Sequence, residues 1–135
     1  MINVDQTIVE KGDGDCFRAA VASILDLTIE QVPHFNRFGQ AWHSIYRGFL
    51  MLCGWEYSGC CDIRADRGMK EEDSINGFFI VAVPSATFEG VMHSVISDLK
   101  GIVVHDPNPN KKWQGRNIKE GSLVYWHMFD RVDYE

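Results

Sequence analysis

The chain has 135 residues, which is enough for one domain with a hydrophobic core and too few for two such domains. Apolar residues make up 45% of the composition and charged residues 24%, which excludes a largely disordered chain. The net charge of −6, without any basic run, argues against nucleic acid as the main partner, and no apolar run is long enough to span a bilayer. We therefore expect one domain over residues 1–135, located in the cytoplasm, with no nucleic-acid or membrane partner.

The four cysteines are expected to be free thiols. Cys60 and Cys61 are adjacent, and no secretory signal is recognisable, which together indicate a reducing compartment. A zinc site is an alternative use of the cysteines and histidines, but none of them has the C-x2-C or H-x3-H spacing of structural zinc sites. A small metalloprotein is therefore the weakest of the alternatives, and we expect no metal.

The first half of the chain predicts two helices. Residues 2–9 suggest a short strand or an extended arm, and the glycine-containing loop GDGD follows. A helix is predicted to begin at Cys16, with Asp15 as its N-cap. Its apolar residues recur at helical spacing: Phe17, Ala20, Val21, Ile24 and Leu25.

A second helix is predicted over residues 41–52, after a short helical turn that opens with the capping-box pair Thr28 and Gln31. Its predicted buried face consists of Trp42, Ile45, Phe49 and Leu52. We expect this face to pack against the first helix. Residues 62–76 are polar and without period, which is typical of an exposed excursion between elements.

The second half of the chain predicts strands. The segments FFIVAVPS, MHSVIS, IVVHD and SLVYWHMF are rich in β-branched and aromatic residues, and a turn is predicted at residues 98–101. Helices thus precede strands. This order predicts an α+β domain in which the N-terminal helices pack on a C-terminal antiparallel sheet.

Cys16 lies where the GDGD loop gives way to the first predicted helix. At a helix N-terminus, the helix dipole and the free backbone N–H groups favour thiolate over thiol. The same N–H groups face the place where an oxyanion would form on a carbonyl under attack. The position therefore predicts a nucleophilic cysteine, and a small buried core cysteine is the alternative interpretation.

His93 is the best candidate for the base that such a cysteine needs. If the hairpin turns near residues 99–100, strand pairing brings His93 and Asp106 to the same end of the sheet. Asp106 is then placed to bind one ring nitrogen and to leave the other facing the thiol. A strand histidine satisfied by the backbone is the alternative.

The other histidines are weaker candidates. Strand alternation puts His105 on the face opposite to Asp106. His43 lies in an amphipathic helix and His127 in an aromatic strand, where packing is the more common role, and His34 lies in a loop.

The order of these residues along the chain resembles that of the papain-like cysteine peptidases, in which a loop-Cys-helix unit precedes a strand with His and a later strand ending in Asp. The segment GDGDCFRAAVASIL is similar to the cysteine motifs of the bacteriocin-processing (double-glycine) peptidases and of the ovarian-tumour-type deubiquitinases. The segment HSVISDLKGIVVHDPNP resembles the first of these branches, and the chain also looks like small phage and bacterial proteins of this length. The resemblance covers about half of the chain and implies a papain-like fold, with a host cytoplasm as location if the chain is phage-encoded.

The resemblance also implies an oxyanion donor upstream of the nucleophile. Gln6 is the nearest glutamine, ten residues before Cys16, and the backbone around Asp13 is the deubiquitinase-like alternative. Trp113 follows Asp106 in the polar loop NPNKKWQGRN, which makes it a candidate for covering the cleft or stacking on a substrate.

We therefore predict a cysteine-dependent hydrolase, a peptidase or amidase, in which Cys16 is the nucleophile, His93 the base and acid, and Asp106 the orienting carboxylate. The expected partner is a peptide or protein substrate, and no cofactor is required. A transglutaminase-like acyltransferase is one alternative. The other is a catalytically lapsed papain-like module that captures a host protein or peptide, which the carboxylates of Asp13 and Asp15 near the thiol favour because they oppose thiolate formation. The sequence indicates neither the substrate nor the oligomeric state.

Overall fold

The computed structural model describes residues 1–65 and 67–132. Its helices are α1 (Cys16–Ile24) and α2 (Trp42–Leu52), and 3-10 turns lie at residues 29–31, 35–41, 71–73 and 118–120. Its strands are β1 (Trp55–Asp62), β2 (Phe79–Pro84), β3 (Met92–Ser97), β4 (Val103–His105) and β5 (Tyr125–Arg131). The prediction of an α+β arrangement is confirmed.

The five strands form one antiparallel sheet in the order β1-β5-β2-β3-β4. The last strand, β5, lies between β1 and β2 and pairs with both. Helix α1 packs on β3 and β2, so the N-terminus of α1 lies over the strand that carries His93.

The sequence prediction missed β1. Its burial alternates along the strand, as expected for one covered face, but the pairing with β5 shifts register between Tyr57 and Gly59. Gly59 adopts a φ of 137°, so the bulge falls on a residue without a side chain. The segment after β1 is not wholly exposed either, because Ile75 is buried in the core.

Helix α1 buries the predicted residues Phe17, Ala20, Val21 and Ile24. Asp15 occupies the N-cap position, but its carboxylate makes no cap hydrogen bond. It instead accepts hydrogen bonds from the Thr7 amide at 2.9 Å, the Thr7 hydroxyl at 2.7 Å and the Ile8 amide at 2.8 Å. The first residues therefore form an extended arm that is tied to the start of α1.

The predicted buried face of α2 was partly wrong: Ile45 and Phe49 pack half-buried against the core, but the helix is rotated so that other residues are fully buried. Tyr46 and Leu50 are the fully buried residues of α2, whereas Leu52 is 86% exposed. The rotation is explained by the Tyr46 phenol, which finds a hydrogen-bond partner in the interior, 2.9 Å away at Nδ1 of His127. The helices α1 and α2 meet through the rings of Phe17 and Tyr46, whose centroids are 4.8 Å apart. Within the residues that the structure describes, no helix has both the length and the apolar character needed to cross a bilayer.

Candidate active site

Cys16 is the first residue of α1 and is partly buried against β3. Its backbone N–H belongs to the first turn, so no carbonyl of the helix accepts it. The free N–H groups and the dipole of α1 thus face the region around the sulfur. The local reason is the glycine-containing loop before the helix, in which Gly12 has a φ of 87°.

His93 and Asp106 come together across the β3–β4 hairpin. The two strands are antiparallel, with Ile96 opposite His105, and a register shift follows between Ile96 and Ser97. Nε2 of His93 lies 2.6 Å from Oδ1 of Asp106. The other ring nitrogen, Nδ1, is therefore the one available to Cys16, to which His93 is hydrogen-bonded.

Asp106 is buried and fully occupied by N–H donors. Besides His93, its Oδ1 accepts the Asn108 amide at 3.0 Å, and its Oδ2 accepts the Trp113 amide at 2.9 Å. The side chain of Gln114 in turn accepts the Asp106 amide at 2.8 Å. Burial raises the pKa of the Asp106 carboxyl, but the hydrogen bond with His93 and the two amides outweigh it, so this pKa is lowered. The carboxylate is held charged and immobile.

The electrostatics of the site favour an ion pair. Burial lowers the pKa of His93, yet the hydrogen bonds with Asp106 and Cys16 outweigh this and raise it from 6.5 to about 9. Burial raises the pKa of the Cys16 thiol, yet hydrogen bonding and the charge of His93 lower it below 9.0 overall. The imidazole binds its proton more tightly than usual and the thiol less tightly. The thiolate–imidazolium pair is therefore stabilised relative to the neutral pair.

Ser94 is a contributor that sequence analysis missed. Its backbone N–H and its hydroxyl both hydrogen-bond to Cys16 and help to lower the pKa of the thiol. The signal in the sequence was only its place next to His93, because contact with a residue 78 positions earlier depends on how α1 lies on β3.

Two cavities meet at Cys16. The glycine-side cavity has a volume of about 110 Å³, and its wall includes Gln6, Gly12, Gly14, Phe88 and His93. The second cavity, the aromatic pocket, has a volume of about 240 Å³, and its wall includes Phe17, Trp42, Ala82, Met92, Ser94 and His127. The thiol therefore lies at the junction of two cavities.

Gln6 lies in the wall of the glycine-side cavity and is buried. The arm reaches this place because the backbone N–H of Gln6 donates to the carbonyl of Pro107 at 2.9 Å. Nε2 of Gln6 donates one N–H to the Ile8 carbonyl at 2.8 Å, which leaves its second N–H without an assigned acceptor, while Oε1 is buried without a hydrogen-bond partner in the described part of the chain. Gly14 permits the close packing of this arm, since a Cβ there would lie only 3.1 Å from the backbone oxygen of Glu10.

Asp13 and Trp113 lie outside both cavities. The Asp13 carboxylate is bound by the Arg37 guanidinium at 2.8 and 3.0 Å, and the Asp13 carbonyl binds the His34 ring at 3.0 Å. The Trp113 indole is 3% exposed and donates its N–H to the Pro84 carbonyl at 3.0 Å, so it has no free face for a substrate. Its contribution to the site is the backbone N–H that holds Asp106.

His105 and the other three cysteines do not line either cavity. His105 is buried beneath the N-terminal arm, with Nε2 2.7 Å from the Val4 carbonyl. All four cysteines are free thiols. Over residues 1–65 and 67–132, no three His, Cys, Asp or Glu side chains are grouped so as to hold a metal ion.

Comparison with known proteins adds nothing to the geometry: a scan against protein families, a search of curated proteins and a search of solved structures each gave no match. The resemblance to papain-like peptidases therefore stays a prediction from the sequence, and the functional argument depends on the site itself.

Proposed function

We propose that this chain is a cysteine-dependent hydrolase of papain-like type, which cleaves an amide bond of a peptide or protein through an acyl-enzyme on Cys16. The observation that carries the proposal is the contact chain from Cys16 through His93 to Asp106, with a short His93–Asp106 distance of 2.6 Å. The buried acid orients the imidazole, and the imidazole holds the thiol ionised.

In the first half of the reaction, the Cys16 thiolate attacks the substrate carbonyl carbon, and a C–S bond forms. The carbonyl oxygen becomes an oxyanion, to which the free N–H groups at the start of α1 and the side-chain amide of Gln6 would donate; Gln6 lines the same cavity as Cys16. The imidazolium of His93 then gives its proton to the leaving nitrogen as the C–N bond breaks. The products of this half are a free amine and a thioester on Cys16.

In the second half, neutral His93 takes a proton from water, and the resulting hydroxide attacks the thioester carbonyl. The C–S bond breaks, the acid product leaves, and the thiolate–imidazolium pair is restored. An amine acceptor in place of water would give acyl transfer instead, so hydrolysis is the outcome where water alone reaches the thioester.

The acidic loop does not favour the catalytically lapsed alternative. Asp13 is neutralised by Arg37 in a two-bond ion pair, and Asp15 is compensated by three hydrogen bonds and by Arg18 at 3.8 Å. Both carboxylates are thereby offset locally, and the pKa of the Cys16 thiol remains lowered.

The test is trapping of the acyl-enzyme. The protein is incubated with activated acyl esters and with a pool of reporter-labelled peptides, and adducts are mapped by mass spectrometry. The proposal predicts that a thioester forms on Cys16 and then hydrolyses in the wild-type protein. The thioester should be absent in Cys16→Ala, and it should form and hydrolyse as in the wild type in Cys60→Ala. An adduct that never turns over would support the capturing module instead.

A further inference from the structure

The aromatic pocket on the α2 side of Cys16 contains apolar walls and one unusual polar group. The rings of Phe17 and Trp42 stand edge to face in its wall, with centroids 6.0 Å apart. No lysine, arginine, aspartate or glutamate from the described residues lines it. Its volume of about 240 Å³ is below the range of drug-sized pockets, which begins at about 300 Å³, and suits one side chain.

The polar group is His127, whose ring is neutral. Burial lowers its pKa to about 4, so the imidazole carries a single proton at neutral pH. The neighbouring Tyr46 side chain is fully buried, and its hydroxyl lies 2.9 Å from Nδ1 of His127. A buried phenol must donate its hydrogen, and Nδ1 is the acceptor that the described structure offers. The ring proton is then fixed on Nε2.

Nε2–H of His127 is therefore a donor with no hydrogen-bond partner in the described part of the protein. The tyrosine beneath the ring sets its tautomer in advance, so the donor does not have to reorganise when a ligand arrives. A donor of this kind distinguishes ligands by whether they bring an acceptor to it.

The side of the substrate that occupies the aromatic pocket follows from the position of His93. The leaving amine takes its proton from His93, which lines the glycine-side cavity and not the aromatic pocket. The leaving group therefore lies toward the glycine-side cavity. The acyl part of the substrate lies toward α2.

We propose that the aromatic pocket binds an uncharged aromatic side chain of the acyl part of the substrate, tyrosine in particular, and that Nε2–H of His127 donates to its hydroxyl oxygen. The specificity-determining pair is thus Tyr46 and His127. The inference rests on the proposed function, because it assigns the pocket to the acyl part of a substrate attacked by Cys16.

The experiment compares fluoromethyl ketone probes of the forms acetyl-Gly-X and acetyl-X-Gly, with X as tyrosine, phenylalanine or glycine. Tyrosine and phenylalanine differ only in the hydroxyl, so the ratio of their Cys16 labelling rates isolates the hydrogen bond. We expect the wild-type protein to favour tyrosine about threefold to tenfold in one of the two positions. The ratio should fall to about one in His127→Phe and recover in His127→Gln, which restores an N–H donor.

A second measurement does not depend on the folding of a variant. Nitrogen-15 NMR of the isotope-enriched protein without a probe should show Nδ1 of His127 as an acceptor and Nε2 as protonated. Among the three probes, only the tyrosine probe should shift the Nε2 signal. Equal labelling rates for tyrosine and phenylalanine in both positions would overturn the inference and leave the hydrolase standing. Failure of every probe, including the glycine one, to label Cys16 would overturn both.

Discussion

The most informative single substitution is Asp106→Asn, because the structure predicts how much it lowers the free energy of unfolding. Oδ1 of Asp106 accepts two N–H groups, from His93 and Asn108, and Oδ2 accepts a third, from Trp113. An asparagine has only one acceptor oxygen. Whichever way its amide is turned, its NH₂ group faces a backbone N–H, that of Trp113 in one orientation and that of Asn108 in the other.

The expected magnitude follows from burial. Asp106 is 1% exposed, so the N–H group that loses its acceptor has no access to water. This unpaired donor should lower the free energy of unfolding by about 1–3 kcal/mol. The substitution also removes the charge that raises the pKa of His93, so this pKa should fall from about 9 toward or below 6.5. A fall all the way to 6.5 would lower the charged fraction of the imidazole at pH 8 from about nine-tenths to about one-thirtieth.

The matched control is Asp15→Asn. Asp15 is also buried and also accepts three hydrogen bonds, but the partner of its Oδ2 is the Thr7 hydroxyl. A hydroxyl can turn and accept a hydrogen bond from the new NH₂ group. We therefore expect the free energy of unfolding to fall by less than about 1 kcal/mol. The assay is urea unfolding followed by tryptophan fluorescence. Equal unfolding free energies for the two variants would refute the hydrogen-bond argument.

Three further predictions concern reactivity. Ser94→Ala removes a hydroxyl donor from the sulfur, so the pKa of Cys16 should rise by about one pH unit. This pKa is read from the pH dependence of iodoacetamide alkylation. An unchanged pH profile would show that Ser94 does not contribute to the pKa of the thiol. Gly14→Ala places a Cβ only 3.1 Å from the backbone oxygen of Glu10, so the arm that carries Gln6 has to shift. Hydrolysis should then slow by about tenfold to hundredfold while alkylation of Cys16 keeps its rate. Equal slowing of both reactions would indicate that the thiol, and not Gln6, is affected. Hydrolysis needs the charged ring of His93, so its rate should decline above pH 9. Alkylation of Cys16 needs only the thiolate, so its rate should stay level there. A parallel decline of both rates would contradict the roles assigned to His93 and Cys16.

Much of the fold follows from local signals. The start of α1 is marked by the loop GDGD and by apolar residues at helical spacing, and β3 has the bounds of the segment MHSVIS. The approach of His93 to Asp106 was predictable because the two residues are 13 positions apart in one hairpin, where pairing is set by the turn between them.

The remaining features depend on contacts between distant parts of the chain. β1 was missed because its bulge at Gly59 interrupts the alternation, and the strand forms only when β5 returns to pair with it. Trp113 was expected near the substrate from its polar loop, but its indole N–H finds the Pro84 carbonyl 29 residues away. The buried face of α2 was likewise decided by Tyr46 meeting His127.

The central claim is that Cys16 is an activated nucleophile, and the four free thiols of the chain provide an internal comparison. The measurement is the rate of iodoacetamide alkylation at each cysteine at pH 7, resolved by peptide mapping. We predict that Cys16 reacts faster than Cys60, although Cys16 is partly buried and Cys60 is exposed, and that His93→Ala reverses this order. A wild-type protein in which Cys60 reacts first, with Cys16 unaffected by the loss of His93, would contradict the account.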